Sequence, residues 1–271
     1  MVLIRHALAE AGRALAPVSD TPRLDAELLM AHALGCDRNT LILSRLDEAV
    51  PASFAASLDR RLAHEPIAYI LGHRDFWTVT LAVGPGVLVP RADSETLIEA
   101  ALHHFGDTGP ATILDLGTGP GTLLLAALDQ WPNARGVGIE RSEAARGYAE
   151  RNARAIAPGR AEIRSGDWGS GITTRFDLVL CNPPYIETGA SLDRQVAGYE
   201  PGEALFAGAD GLDDYRTLAG QLPGLIAPGG VAIIEIGAGQ ADAVTTLMRD
   251  AGLGVSSRRD LGGHVRALVL T

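Results

Sequence analysis

The N-terminal part of the chain carries apolar residues at spacings of three and four, which is the period of an amphipathic helix. This pattern predicts helices over residues 4–15, 21–35, 38–50 and 51–65. Pro22 and Pro51 suit first helical turns, and Gly35 suits a helix end. Because helices of this length are marginal in isolation, they are predicted to pack together as a small bundle.

Apolar and polar residues then alternate from His73 to Val83, which is the period of a β-strand. The segment Gly84-Pro85-Gly86 follows and is predicted to form the turn of a β-hairpin. Pro90 closes this connector. The hairpin therefore separates the helical part from the rest of the chain.

Beyond Pro90, short apolar runs alternate with helical segments. Strands are predicted at residues 112–116, 136–140, 161–165, 176–181 and 230–236. Helices are predicted at residues 94–105, 122–131, 142–155, 213–226 and 239–252. Residues 254–270 predict two antiparallel strands around Gly262 and Gly263. This order is typical of an α/β protein with a doubly wound, mostly parallel sheet and helices on both faces.

Composition narrows the class of protein. The net charge is −10 and no basic stripe is present, which speaks against a nucleic-acid partner. Cys36 and Cys181 give neither a disulfide framework nor metal-ligand spacing, which fits a reducing cytosol. No apolar run approaches the ~18 residues that span a bilayer, and the N-terminus has no signal-peptide core. We expect a cytoplasmic protein with no membrane association and no metal.

A glycine-rich segment, Gly117-Thr118-Gly119-Pro120-Gly121, follows the strand predicted at 112–116 and opens a helix. Its glycines allow positive φ and a close approach of the backbone to a ligand, and ligands of such sheets lie beyond the carboxyl ends of the strands. The spacing differs from the G-x-G-x-x-G of dinucleotide sites. Asp115 is expected to orient this turn. Such glycines are also common in α/β proteins for structural reasons.

Two further strand ends carry groups that suit a nucleoside. Glu140 ends the second strand, where a carboxylate can accept bonds from both ribose hydroxyls. Asp167 and Trp168 end the third, where they could bind the amino group and the ring face of adenine. Alone, Glu140 is also consistent with a solvated charge and Trp168 with a core aromatic residue. A ligand that contains ribose and adenine but no pyrophosphate indicates S-adenosylmethionine.

The fourth strand ends in Asn182-Pro183-Pro184-Tyr185. An amide or aromatic NH₂ group is a poor nucleophile, because its lone pair is delocalised. The Asn182 side-chain oxygen and the Pro183 carbonyl can accept its two hydrogens, the prolines stiffen the segment, and Tyr185 can stack on the planar acceptor. The segment therefore indicates methyl transfer to a planar nitrogen, although Asn-Pro is also common in plain turns.

The motifs DLGTGPG, GDW and NPPYI resemble those of class I methyltransferases that modify planar nitrogens. The segments HEPIAYILGHRDFW, LVPRADSETLIEAAL, YEPGEALFAGADGLDDYR, PGGVAIIEIGAGQ and RDLGGHVRALVL narrow the resemblance to the bacterial release factor glutamine methyltransferases, the PrmC/HemK family. It extends from about Leu24 to the C-terminus. It implies a seven-stranded class I methyltransferase sheet with an antiparallel C-terminal edge pair.

The resemblance also implies the reaction, which is N5-methylation of the glutamine in the Gly-Gly-Gln motif of class 1 peptide chain release factors. By the family pattern, S-adenosylmethionine would contact Gly117–Gly121, Glu140, Trp168 and Asn182. The glutamine would be received by Asn182, Pro183, Pro184 and Tyr185. The chain departs from the family at Pro120, Glu140 and Tyr199, and none of these departures removes a proposed chemical group. Four charged residues of family-like segments are expected to shape the protein-substrate groove: Arg91, Asp93, Glu95 and Glu200.

The domain organisation follows from these elements. We expect a helical substrate-binding domain over residues 1–73, the hairpin connector over 74–89 and the methyltransferase domain over 90–271. Two other functions stay open: a nucleic-acid adenine-N6 methyltransferase, which shares the NPPY motif, and a non-catalytic factor-binding protein with a vestigial cofactor site.

Overall fold

The computed structural model describes residues 2–271. In chain order, the α-helices are α1 (Ile4–Leu15), α2 (Pro22–Leu34), α3 (Arg38–Ser44), α4 (Ser53–Leu62), α5 (Ile67–Leu71), α6 (Glu95–Phe105), α7 (Thr122–Gln130), α8 (Glu143–Ile156), α9 (Arg194–Tyr199), α10 (Asp213–Leu225) and α11 (Ala241–Asp250). The β-strands are β1 (His73–Phe76), β2 (Val79–Ala82), β3 (Thr112–Leu116), β4 (Arg135–Glu140), β5 (Ala161–Ser165), β6 (Phe176–Cys181), β7 (Ile226–Glu235), β8 (Val255–Arg259) and β9 (Val265–Leu270).

The chain divides into two compact units. The smaller unit runs up to His73 and also includes Leu192–Glu200. The larger unit consists of Arg74–Ser191 and Pro201–Thr271. The smaller unit therefore contains α1–α5 together with α9, and the larger one contains the main sheet.

The helical unit packs its apolar faces into one core that includes Ile4, Leu29 and Phe54. The predictions for α1, α2 and α4 are confirmed within three residues at each end, and Gly35 caps α2 with a φ of 65°. The helix predicted over 38–50 is too long, since α3 ends at Ser44. Pro51 lies before the N-cap of α4 and not in its first turn. The short helices α5 and α9 span less than two turns, so their periodicity was too brief to predict.

A buried ion pair crosses this unit. Arg61 donates from Nε to Asp25 Oδ2 at 2.7 Å, and its two terminal nitrogens donate to the carbonyls of Val18 and Glu65. Both charged residues are 4% exposed. The pair thus joins α2 to α4 with each guanidinium nitrogen satisfied.

The hairpin prediction is right in kind but wrong in the position of its turn. Strands β1 and β2 form a two-stranded sheet, and Trp77 and Thr78 make the connection. Trp77 has a φ of 53°, and its backbone N–H donates to Glu95 Oε1 at 2.9 Å. Gly84 to Val87 forms a separate turn after β2. The long-range bond to Glu95 holds a tryptophan where a glycine would be expected.

The main sheet has seven strands in the order β5-β4-β3-β6-β7-β9-β8. The first five strands in this order pair in parallel, and β9 pairs antiparallel to both β7 and β8. The predicted doubly wound α/β sheet with an antiparallel C-terminal pair is therefore confirmed. The strand order reverses between β3 and β6, and this is where the carboxyl ends of an open sheet leave a crevice for ligands.

Candidate active site

The glycine-rich turn leaves β3 at this crevice and leads into α7. Gly117, Gly119 and Gly121 all have positive φ. Asp115 Oδ2 accepts from the Thr118 hydroxyl at 2.6 Å and from the Leu124 N–H at 3.1 Å. Asp115 thus fixes both ends of the turn, as the sequence indicated.

Glu140 fixes the middle of the same turn. Its Oε2 accepts from the Gly119 N–H at 2.9 Å, and its Oε1 accepts from the Ser142 N–H at 2.8 Å. Glu140 is only 9% exposed, so the alternative of a solvated strand-end charge is wrong. Each carboxylate oxygen keeps a lone pair that can accept a further hydrogen bond.

Trp168 packs against the glycine turn from the end of β5. A Cβ placed on Gly117 would lie 2.9 Å from Cζ3 of the Trp168 ring, so only glycine fits there without displacing the indole. Trp168 has a φ of 49°. Burial raises the pKa of Asp214, and the Trp168 side chain lowers it. Trp168 is half-buried: it lines the crevice and also packs against the hydrophobic core of the main sheet.

These elements enclose a cleft with an empty volume of ≈ 930 Å³, its open mouth included. The predicted site residues on its wall are Gly117, Thr118, Gly119, Pro120, Glu140, Asp167, Trp168, Asn182 and Pro184. The other three, Gly121, Pro183 and Tyr185, are adjacent in sequence to wall residues. The structure therefore brings the separate strand ends together, while their contacts with a ligand remain a prediction.

The NPPY segment continues directly from β6. The Asn182 side chain donates from Nδ2 to Ser94 Oγ at 3.1 Å, which leaves its oxygen available at the cleft. Pro183 and Pro184 are buried and Tyr185 is half-buried. The carbonyl of Tyr185 accepts from Gln240 Nε2 at 2.9 Å. The segment is thus held from both sides.

One residue that supports the cleft, Asn152, was missed from the sequence. Asn152, buried on α8, donates to the Pro120 carbonyl at 2.8 Å and exchanges two bonds with Ala82, which ties the glycine turn to β2. The burial of Asn152 depends on the packing of α8, so no local pattern in the sequence marked this role. Asp115 lines the cleft, yet its Oδ1 has no hydrogen-bond partner among residues 2–271. Burial raises the pKa of Asp115 to about 7.

The four charged residues of the family-like segments have different surroundings. Arg91 lines the cleft, and Asp93 pairs with Arg266 at 3.1 Å. Glu95 accepts from the Trp77 N–H in the hairpin turn, so its visible role is structural. Glu200 is buried. A role in a protein-substrate groove remains a prediction for each of them.

The part of the chain from Val2 to Thr271 contains no group of three or more His, Cys, Asp or Glu side chains that could hold a metal ion. No helix within that part is long and apolar enough to cross a membrane.

Comparison with known proteins gives a consistent result. Residues 6–72 match the PrmC N-terminal domain, and residues 93–199 match the methyltransferase small domain. The release factor glutamine methyltransferase of Rhodospirillum rubrum is 44% identical over 92% of this chain and 79% of its own length. That of Bordetella pertussis is 39% identical over 98% of each chain. The chain belongs to the release factor glutamine methyltransferase family.

A solved structure shares the fold of this chain. A crystal structure of ribosomal protein L11 methylase from Lactobacillus delbrueckii subsp. bulgaricus has a TM-score of 0.52 at 18% identity, and it covers 70% of this chain and 83% of its own. The class I methyltransferase fold predicted for this family member is therefore confirmed.

Proposed function

We propose that this protein transfers a methyl group from S-adenosylmethionine to the side-chain amide nitrogen of a glutamine in a peptide chain release factor. One observation carries the proposal. Asn182 lies on the wall of the cleft and its side-chain nitrogen donates a hydrogen bond to Ser94. Its side-chain oxygen is therefore the atom that can accept a hydrogen bond from the NH₂ group to be methylated.

The residues of the cleft fit S-adenosylmethionine. Glu140 has free lone pairs for both ribose hydroxyls, and Asp167 and Trp168 suit the amino group and ring face of adenine. The unpartnered Oδ1 of Asp115 suits the ammonium group, because a buried carboxylate oxygen normally has a hydrogen-bond partner. When bound, the cofactor supplies a methyl group on a positively charged sulfur, which becomes a neutral thioether when the acceptor takes the methyl group.

The NPPY segment supplies the acceptor side. The Asn182 oxygen and the Pro183 carbonyl accept the two hydrogens of the glutamine NH₂ and so orient its nitrogen toward the methyl group. They also stabilise the positive charge that develops on this nitrogen. The nitrogen then loses one proton to solvent. Pro184 stiffens the segment and Tyr185 stacks on the planar amide.

The finer assignments follow the family pattern. We place the methylated glutamine in the Gly-Gly-Gln motif of class 1 release factors, at N5, and we place the enzyme in the cytoplasm, where these factors act. The helical domain over residues 1–73 would bind the protein substrate, the hairpin over 74–89 would connect the domains, and residues 90–271 would carry the reaction.

Transfer of a labelled methyl group to purified release factor tests this function. We expect label in the wild-type factor and none in a factor whose Gly-Gly-Gln glutamine is replaced. Label in nucleic acid but not in the factor would support the adenine-N6 alternative. Binding of neither cofactor nor label would support the non-catalytic alternative.

The pH dependence of cofactor binding tests the role of Asp115. Because burial raises its pKa to about 7, the carboxyl is largely neutral below that pH and binds an ammonium group weakly. We expect cofactor affinity to fall as the pH drops from about 8 to about 6, measured by calorimetry. Asp115→Asn should bind weakly at every pH. An equally steep pH dependence in that variant would contradict the assignment.

A further inference from the structure

A buried carboxylate lies directly behind the NPPY segment and has no part in the function proposed above. Glu235 is the last residue of β7, which pairs in parallel with β6 so that Ile234 lies opposite Cys181. Glu235 thus stands beside Asn182 at the same end of the sheet. It is 1% exposed and is not among the residues of the cleft wall.

Two hydrogen bonds connect Glu235 to Asn182. Ser94 Oγ donates to Glu235 Oε2 at 2.5 Å, and the same Oγ accepts from Asn182 Nδ2 at 3.1 Å. A serine hydroxyl has one hydrogen. Because that hydrogen is directed at Glu235, the serine lone pairs face Asn182, and the amide is held with its nitrogen toward Ser94.

Tyr185 is a second polar side chain of the NPPY segment in the electrostatic surroundings of this carboxylate. Burial raises the pKa of Glu235 and Tyr185 lowers it, while burial together with the Glu235 charge raises the pKa of Tyr185. The hydrogen-bonded connection from Glu235 to the NPPY segment is the one through Ser94 to Asn182.

The surroundings of Glu235 combine burial with nearby charge. Burial raises the pKa of Glu235 to about 7, and Arg266 on β9 lowers it. Arg266 is itself held by Asp93 at 3.1 Å and Asp260 at 3.2 Å. The titratable groups that shift the pKa of Glu235 are Arg266, Asp93 and Tyr185, and Glu235 in turn adds to the effect of burial that raises the pKa of Tyr215 and of Cys181.

We propose that Glu235 is a positioning residue for methyl transfer, which acts through Ser94 on the Asn182 amide. The inference rests on the proposed function of the NPPY segment. Hydrogen bonds in a chain polarise one another, so the negative carboxylate makes Ser94 a stronger acceptor and the Asn182 oxygen more negative. That oxygen then better stabilises the positive charge on the glutamine nitrogen.

Glu235→Gln in the full chain tests this role. Glutamine keeps an acceptor oxygen for the Ser94 hydroxyl but loses the negative charge that polarises Ser94 and Asn182. We expect kcat on the release factor to fall about ten- to a hundredfold, with cofactor affinity within about threefold by calorimetry. Glu99→Gln makes the same change at an exposed position of α6 and should leave kcat unchanged.

A double-mutant cycle with Ser94→Ala tests the path. Because both substitutions interrupt one path, Glu235→Gln combined with Ser94→Ala should be about as slow as the slower single variant. Losses that multiply in the double variant would overturn the path through Ser94. If Glu235→Gln does not fold, Ser94→Ala alone decides, since a normal kcat in that variant would also overturn it.

The dependence of kcat on pH distinguishes a positioning role of Glu235 from a purely structural one, because a purely structural role would not make kcat follow the charge of Glu235. At saturating cofactor, wild-type kcat should rise as the pH passes through about 7, because the carboxylate is charged above its pKa. Glu235→Gln should lose this rise. If the wild-type enzyme methylates the factor and Glu235→Gln has the same kcat, the inference about Glu235 is overturned and the proposed function is not. If the wild-type enzyme is inactive, the proposed function itself is overturned.

Discussion

Replacing Asn182 with alanine is expected to lower turnover by about 10²–10³-fold while the affinity for S-adenosylmethionine stays within several-fold. The reason is the geometry of the amide, whose nitrogen is engaged by Ser94 and whose oxygen is left for the acceptor. A fixed acceptor that meets charge developing in the transition state is worth ~2.7–4 kcal/mol in comparable sites. Turnover on the release factor and calorimetric cofactor binding separate the two effects.

A matched control is Asn133→Ala, which makes the same chemical change at an exposed position before β4. It should leave both measurements unchanged. Normal turnover combined with weak cofactor binding in Asn182→Ala would contradict the assigned role, because it would make Asn182 a cofactor ligand and not an acceptor for the glutamine nitrogen.

Replacing Arg61 with alanine is expected to destabilise the helical unit by about 3–5 kcal/mol. Asp25 would keep its buried position without the guanidinium that neutralises it, and the carbonyls of Val18 and Glu65 would lose their donors. Hydrogen exchange measured by mass spectrometry should show faster exchange in α2 and α4. Amide hydrogen exchange in the strands of the main sheet shows separately whether the substitution also destabilises the larger unit.

Arg60→Ala is the matched control for this prediction, since it makes the same change one residue earlier on α4. The Arg60 side chain is 47% exposed and pairs with Glu65 at the surface, and such pairs contribute at most about 1 kcal/mol. Equal destabilisation by the two variants would show that any loss of an arginine from α4 destabilises the unit. The buried Arg61–Asp25 pair would then contribute no more to the free energy of unfolding than the surface pair does.

The regular elements of the fold were predictable where a local pattern persisted. The strands β3, β5 and β6 have the predicted bounds, because β3 and β6 are short apolar runs, β5 alternates apolar and polar residues, and each is bounded by turn signals. The hairpin turn was misplaced because the backbone of Trp77 is held by Glu95, which is distant in sequence. Positive φ at a tryptophan cannot be predicted from neighbouring residues.

The candidate site was predictable as a set of strand ends but not as a network. Glycines, Glu140, Trp168 and Asn182 were identified because each follows a recognisable strand, and a parallel sheet brings such ends to one edge. The bonds made by Asn152 and by Glu235 through Ser94 depend on tertiary packing of segments far apart in sequence. No local pattern indicates which buried polar residues will meet.

The central claim is that this cleft orients a glutamine amide for methylation. Tandem mass spectrometry of a class 1 release factor, incubated with this protein and S-adenosylmethionine, tests it most directly. We predict one added methyl group on the side-chain amide nitrogen of the Gly-Gly-Gln glutamine. A methyl group on any other residue, or an unmodified factor beside an enzyme that binds the cofactor, would contradict the account.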